Sequence, residues 1–181
     1  MLGPSKDGVR GSAIAGAPDY WLRSPTPADG PAVTGLVADC PPLDRNSRYC
    51  NLLQCTVFAD TCVLAETDRR PIGWVSAYKP PFDDSSLFVW QVAVHPDARG
   101  FSLGKEMILA ILRRPACRDV DFLKTTVTPD NVASRAMFQS IAESLNAPID
   151  EQPYFDHKEH FEREQESEHL ITIGSFSTAA L

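Results

Sequence analysis

Arg99, Gly100, Gly104 and Lys105 lie within RGFSLGK, a run that follows the apolar stretch SLFVWQVAV and precedes apolar residues at helical spacing. Two glycines let a backbone come close to a ligand. A helix starting there points unpaired N–H groups, and the positive end of its dipole, at whatever sits in front of it. With charge added by Arg99 and Lys105, the chemistry on offer is anion binding, and a pyrophosphate is the natural occupant. Neither GxxxxGK[ST] nor GxGxxG is met. A glycine turn with no ligand is the simpler alternative for any lone GxxxG; the strand before it and the basic helix start after it favour phosphate.

The rest of the composition narrows the partners. Among 181 residues, 43% are hydrophobic, enough for one substantial core and one domain. Against 24 acidic side chains stand 17 basic ones, a net charge of -7, which disfavours nucleic acid and anionic lipid and suits a small cationic substrate. The five cysteines form no CxxC pair and sit in apolar runs, so a reduced, cytoplasmic protein is expected. No apolar run approaches the roughly 20 residues of a membrane span. The opening MLGPSKDGVRGSAIAGAP lacks the apolar core of an export signal. His157 and His160, without a third ligand at a diagnostic spacing, read as surface residues, so no metal is expected.

These residues must be positioned by elements, and the sequence orders them. Residues 1–18, rich in Gly, Ser, Ala and Pro, read as a disordered tail, and residues 19–181 as one domain. YWLRSP predicts a short strand, and TPADGPAVTGLVADC a helix with Thr26 as cap. RYCNLLQCTVFADT predicts a second helix, with Tyr49, Leu52, Leu53, Val57 and Phe58 on its apolar face. CVLAE and IGWVSAYKP form a hairpin, and SLFVWQVAV is the strand at the sheet centre. Leu103, Met107, Ile108 and Ile111 carry a helix, DFLKTTV a strand, and TPDNVASRAMFQSIAESLN a helix with Asp130 as candidate cap. Residues 147–168 read as a long acidic loop before a last strand, HLITIG. The order β-α-α-β-β-β-α-β-α-β predicts an α/β (α+β) fold with a mixed, mostly antiparallel sheet flanked by helices.

At the glycine junction the chain resembles a known family. QVAVHPDARGFSLGKEM is similar to motif A of the GNAT acetyltransferases, V-x-P-x-x-[RQ]-G-x-G-x-[GA], and TPDNVASRAMF resembles that family's next segment. The resemblance implies the GNAT fold and acetyl-CoA as cosubstrate. It implies that Arg99, Gly100, Phe101, Ser102, Leu103, Gly104 and Lys105 hold the pyrophosphate, that Asn131, Ser134 and Phe138 line the pantetheine arm, and that backbone groups of Val92 and Val94 meet the acetyl end. Ser102 departs from the family's middle glycine; a positive φ there costs a serine roughly 1 kcal/mol. Phe138 stands where the family usually carries a tyrosine acid, leaving Tyr154 or solvent to protonate the thiolate.

PPLDRNSRYCNLLQCTVFADTCVLAE, SLFVWQVAV, TTVTPDNVASRAMF and EHLITIG resemble a narrower branch of that family, homodimers that acetylate the γ-amine of a small cationic diamino acid in compatible-solute synthesis. An acceptor with two amines and a carboxylate needs acidic anchors and a wall. On this resemblance Asp44 and Glu168 are the acidic ligands, Trp90 is the wall, and catalysis falls to Asp44 or Glu168 as base with the Val92 N–H polarising the thioester. For each there is a plainer alternative: Asp44 as a helix cap that Asn46 or Ser47 serves equally well, Trp90 as core, Glu168 as one solvated acid among several. A cysteine acyl-enzyme through Cys50 or Cys55 is weaker, neither having a histidine beside it. Another small amine as acceptor, or a non-catalytic acyl-CoA sensor, also remains open.

Overall fold

The computed structural model describes residues 8–11, 19–68 and 70–178. Among them an eight-stranded sheet runs in the order β1-β2-β3-β4-β5-β6-β8-β7. The strands are β1 (Val9–Arg10), β2 (Trp21–Arg23), β3 (Val63–Thr67), β4 (Arg70–Tyr78), β5 (Ser86–Val94), β6 (Phe122–Val127), β7 (Ile149–Phe155) and β8 (Glu168–Gly174). All neighbours are antiparallel except β5 and β6. The described residues also form four α-helices: α1 (Gly30–Ala38), α2 (Arg48–Gln54), α3 (Leu103–Leu112) and α4 (Val132–Leu145).

The two sheet faces carry separate cores. Val75, Ala77, Leu87, Val89 and Leu123 meet Met107, Ile108 and Ile111 of α3 and Phe138 and Ile141 of α4. On the other face Leu64, Trp74 and Ala93 meet Val33, Leu36 and Val37 of α1. The alternation of strand side chains and the apolar stripes of α1 and α3 produce this division. Near the start of α1, Arg23 lies between Asp29 and Glu66, at 2.7 and 3.0 Å, all three mostly buried. Asp29 also accepts from the Thr26 N–H at 2.7 Å. Burial opposes the charge of Asp29, but the bonds from Arg23 and Thr26 win and hold its carboxyl below the usual range.

Four expectations need correction. Residues 149–155 are not loop but an edge strand, β7, paired along β8. Its side chains are mostly exposed, so apolar periodicity is missing, and an edge tolerates the absent N–H of Pro153. The second helix ends at Gln54, not near Phe58, and turns the other way: Tyr49 and Val57 are 71% and 70% exposed, while Asn51, Gln54 and Cys55 are buried. Thr26 precedes a 3₁₀ turn (Pro27–Asp29) rather than α1 itself. Asn131, not Asp130, caps α4, accepting from the Ser134 N–H at 3.0 Å. Of the predicted tail, residues 1–7 and 12–18 lie outside the described residues; Val9 and Arg10 pair with Leu22 and Trp21. Among the described residues no helix is long and apolar enough to cross a membrane.

Candidate active site

The parallel pair β5 and β6 separates. Their register runs from Ser86↔Phe122 to Val89↔Thr125 and stops, while β5 stays paired with β4 up to Val94 and β6 with β8 up to Val127. At the last rung Thr125 Oγ1 donates to the Val89 carbonyl at 3.0 Å. Just beyond it lies a bulge, Val89 opposing Ala77 and Gln91 opposing Ser76, which leaves Trp90 without a partner on β4. His95 N–H donates to the Ile72 carbonyl, and bonding direction alternates along an antiparallel strand. The N–H groups of Val94 and Val92 therefore face away from β4, into the gap that β6 has left.

At the mouth of this gap α3 begins. Glu106 N–H makes the first helical bond, to the Ser102 carbonyl at 3.1 Å, so the amides of Leu103, Gly104 and Lys105 have no partner within the helix. The loop reaches this start through two left-handed residues, Gly100 at φ 84 and Ser102 at φ 56. The serine thus occupies the conformation feared for it. Gly104 is where α3 approaches β5: a Cβ there would stand 2.6 Å from Met137 Sδ and 3.3 Å from Val92 Cγ1. Arg99 donates through Nε to the Val94 carbonyl at 3.1 Å, and Lys105 Nζ reaches Ser140 Oγ at 2.9 Å. Two cations and a row of free amides thus ring one helix start, and a diphosphate fits them. Phe101 is half-buried beside the loop and Leu103 is in the core. Phe138, 2% exposed, is also a core residue.

On the opposite face, Asp44 lies in the connection between α1 and α2. Its carbonyl accepts from Gln91 Nε2 at 2.8 Å, and Asn46 Nδ2 donates to Gln91 Oε1 at 3.1 Å. The cap of α2 is Ser47, accepting from the Cys50 N–H at 3.1 Å; the exposed carboxylate of Asp44 is left with no capping duty. Trp90 is not core: it is 47% exposed, its ring edge-on to Tyr78 at 6.2 Å. Tyr78 also meets Phe58 and Phe88, and burial, then the neighbouring Tyr154, raises its phenol. Glu168 opens β8, level with Phe155. Because β8 runs antiparallel to β6, Glu168 lies at the same end of the sheet as Val92 and Val94. Tyr154 is half-exposed.

Gln91 is the residue sequence reasoning missed, although an amide inside an otherwise apolar central strand is itself a signal. His160 is exposed, its Nδ1 accepting from the Asp156 N–H, and His157 is half-buried. Among the described residues no group of three or more His, Cys, Asp or Glu is arranged to hold a metal. Burial raises the Cys50 thiol and pushes that of Cys55 up to about 11, which disfavours a nucleophilic thiolate.

A gap between splayed strands, with inward amides along one wall and a cationic helix start at its mouth, offers the chemistry that a coenzyme-dependent acyltransferase needs. Residues 31–142 match the model of the acetyltransferase (GNAT) family. The L-2,4-diaminobutyric acid acetyltransferase of Bordetella parapertussis is 48% identical over 164 residues, 90% of this chain and 88% of that one. Its namesake from Halomonas elongata is 39% identical over 97% of this chain and 94% of its own. Among solved structures, the diaminobutyrate acetyltransferase EctA from Paenibacillus lautus, in complex with L-2,4-diaminobutyric acid and coenzyme A, superposes with a TM-score of 0.84. It is 35% identical and covers 88% of this chain and 97% of that one. The chain belongs to the acetyltransferase (GNAT) family and, within it, to the L-2,4-diaminobutyric acid acetyltransferases.

Proposed function

We propose that this chain transfers the acetyl group of acetyl-CoA to the γ-amine of L-2,4-diaminobutyrate, the acetylation step of ectoine synthesis. The observation that carries this is the likeness to the Paenibacillus lautus enzyme, which extends along 97% of that chain and whose complex holds both diaminobutyrate and coenzyme A. In this reading Arg99 to Lys105 seat the diphosphate, and Asn131 and Ser134 flank the pantetheine arm. Asp44, Trp90 and Glu168 receive the acceptor. Supporting it are the free amides at the start of α3, the carboxylate of Asp44 released from capping by Ser47, and the exposure of Trp90.

Bound acetyl-CoA supplies the thioester. The Val92 N–H donates to the acyl oxygen, where negative charge grows. The amine attacks directly in a ternary complex: the N–C bond forms as the C–S bond breaks. Before attack, Asp44 or Glu168 takes one proton from the acceptor ammonium, directly or through water; after attack the second N–H proton leaves to solvent, and the thiolate takes a proton from Tyr154 or solvent. A cytoplasmic homodimer serving osmoprotection is the setting in which we place this activity. The test is thiol release from acetyl-CoA with diaminobutyrate, ornithine, lysine and a polyamine, followed by the mass and amide position of the product. A strong preference for diaminobutyrate with the acetyl group on the γ-nitrogen is expected; equal turnover of the longer diamines, or binding without amine-dependent turnover, refutes the reading.

A further inference from the structure

From Leu87 to Val94 the central strand carries a single amide, hydroxyl or charged side chain, that of Gln91, and it is 8% exposed. Burying a primary amide is unfavourable unless both its donor and its acceptor are used. Both are used, and by one loop: Nε2 donates to the Asp44 carbonyl and Oε1 accepts from Asn46 Nδ2. Among the described residues these are the hydrogen bonds that tie residues 44–46 to the sheet. The backbone of Gln91 is meanwhile fixed against Ser76 of β4, directly after the unpartnered Trp90 and directly before Val92. One residue therefore touches the loop of the acceptor carboxylate while standing next in sequence to the amide that faces the gap.

We infer that Gln91 is a positioning residue for the acceptor, setting the Asp44 loop at a fixed distance from the Val92 amide so that the amine held by Asp44 meets the acyl carbon. The inference rests on the acceptor-site reading above. Misplacement of a reacting group by about 1 Å is enough to slow such a reaction about 100-fold, so a loop held by two bonds to the reacting strand is a sensitive point.

The experiment is steady-state kinetics on Gln91→Met, Asn46→Ala, Asp44→Ala and the double variant Gln91→Met/Asp44→Ala, with acetyl-CoA affinity measured by calorimetry in the absence of amine. Methionine keeps the volume and removes both bonds. Gln91→Met is expected to raise KM for diaminobutyrate about 10-fold, with acetyl-CoA affinity changed less than about 2-fold; Asn46→Ala, which removes one bond from the loop side, raises KM about 3-fold. In the Asp44→Ala background the Gln91 substitution adds less than about 2-fold, because its effect runs through Asp44. If Asp44→Ala raises KM while Gln91→Met leaves it unchanged, or if the two effects are additive, the positioning role is wrong and the acceptor site stands. If Asp44→Ala itself leaves KM unchanged, the acceptor-site reading falls and takes this inference with it. Should Gln91→Met fail to fold, Asn46→Ala decides alone: an unchanged KM overturns the role.

Discussion

At the coenzyme end of the cleft the candidate diphosphate and acyl contacts come from one stretch, residues 92–105, and most are main-chain amides freed by the end of β-pairing and the start of α3. At the acceptor end Asp44, Trp90 and Glu168 arrive from the α1–α2 connection, a bulge in β5 and the start of β8, and each offers a side chain. A backbone site tolerates substitution wherever the fold itself is unchanged, which is why Ser102 can stand where the family uses glycine. A side-chain site depends on identity at every position and on whatever holds each loop in place. The first suits a ligand common to a whole family, the second a ligand particular to one branch.

The largest effect should follow from pushing α3 off β5. Gly104→Val places methyl groups where a Cβ alone already crowds Met137 and Val92, and a shift of about 1 Å in the loop lowers kcat/KM for acetyl-CoA about 100-fold. Calorimetry with coenzyme A should show the same loss of affinity; an unchanged affinity means that the amides at the start of α3 are not the diphosphate seat. The converse test is Glu168→Ala, expected to raise KM for diaminobutyrate about 10-fold through loss of a charge-assisted contact while acetyl-CoA affinity stays put. If instead both substrates weaken together, the two ends are not separate sites.

A smaller effect sharpens the comparison at Ser102. Relieving a non-glycine residue at φ 56, Ser102→Gly should stabilise the fold by about 1 kcal/mol, a rise in Tm of about 2–4 °C, without loss of coenzyme affinity. A drop in affinity at higher Tm would show that the hydroxyl, and not only the backbone, contacts the phosphate. Least affected should be the double variant Cys50→Ser/Cys55→Ser, whose turnover with diaminobutyrate changes by less than about 2-fold, because thiols raised by burial are poor nucleophiles. Loss of turnover with the fold intact would put a covalent acyl-enzyme ahead of direct attack.

The second helix shows where sequence reading reached its limit. Tyr49, Leu52, Val57 and Phe58 fit an apolar periodicity, yet Tyr49 and Val57 are exposed and Asn51 and Gln54 are buried, Asn51 donating to Thr34 Oγ1 across the α1–α2 contact. A polar residue turned toward a neighbouring helix is invisible to a hydrophobic pattern. The strand β7 was hidden for a related reason: an exposed edge strand needs no apolar alternation, since its partner β8 supplies the hydrogen bonds and Glu151 is held from the sides by Arg135 and His169.

The RGFSLGK junction, the central strand that feeds it and the helix that follows were set by local chemistry: an apolar β run, two glycines and a helical stripe within residues 86–112 determine strand, turn and exposed amides together. Only the tertiary structure decided that β6 leaves β5 after Val89, that Ser47 rather than Asp44 caps α2, and that Gln91 draws the Asp44 loop onto the sheet. Those outcomes depend on which strand pairs with which and on hydrogen bonds between residues more than forty positions apart. No window of neighbouring residues contains that information.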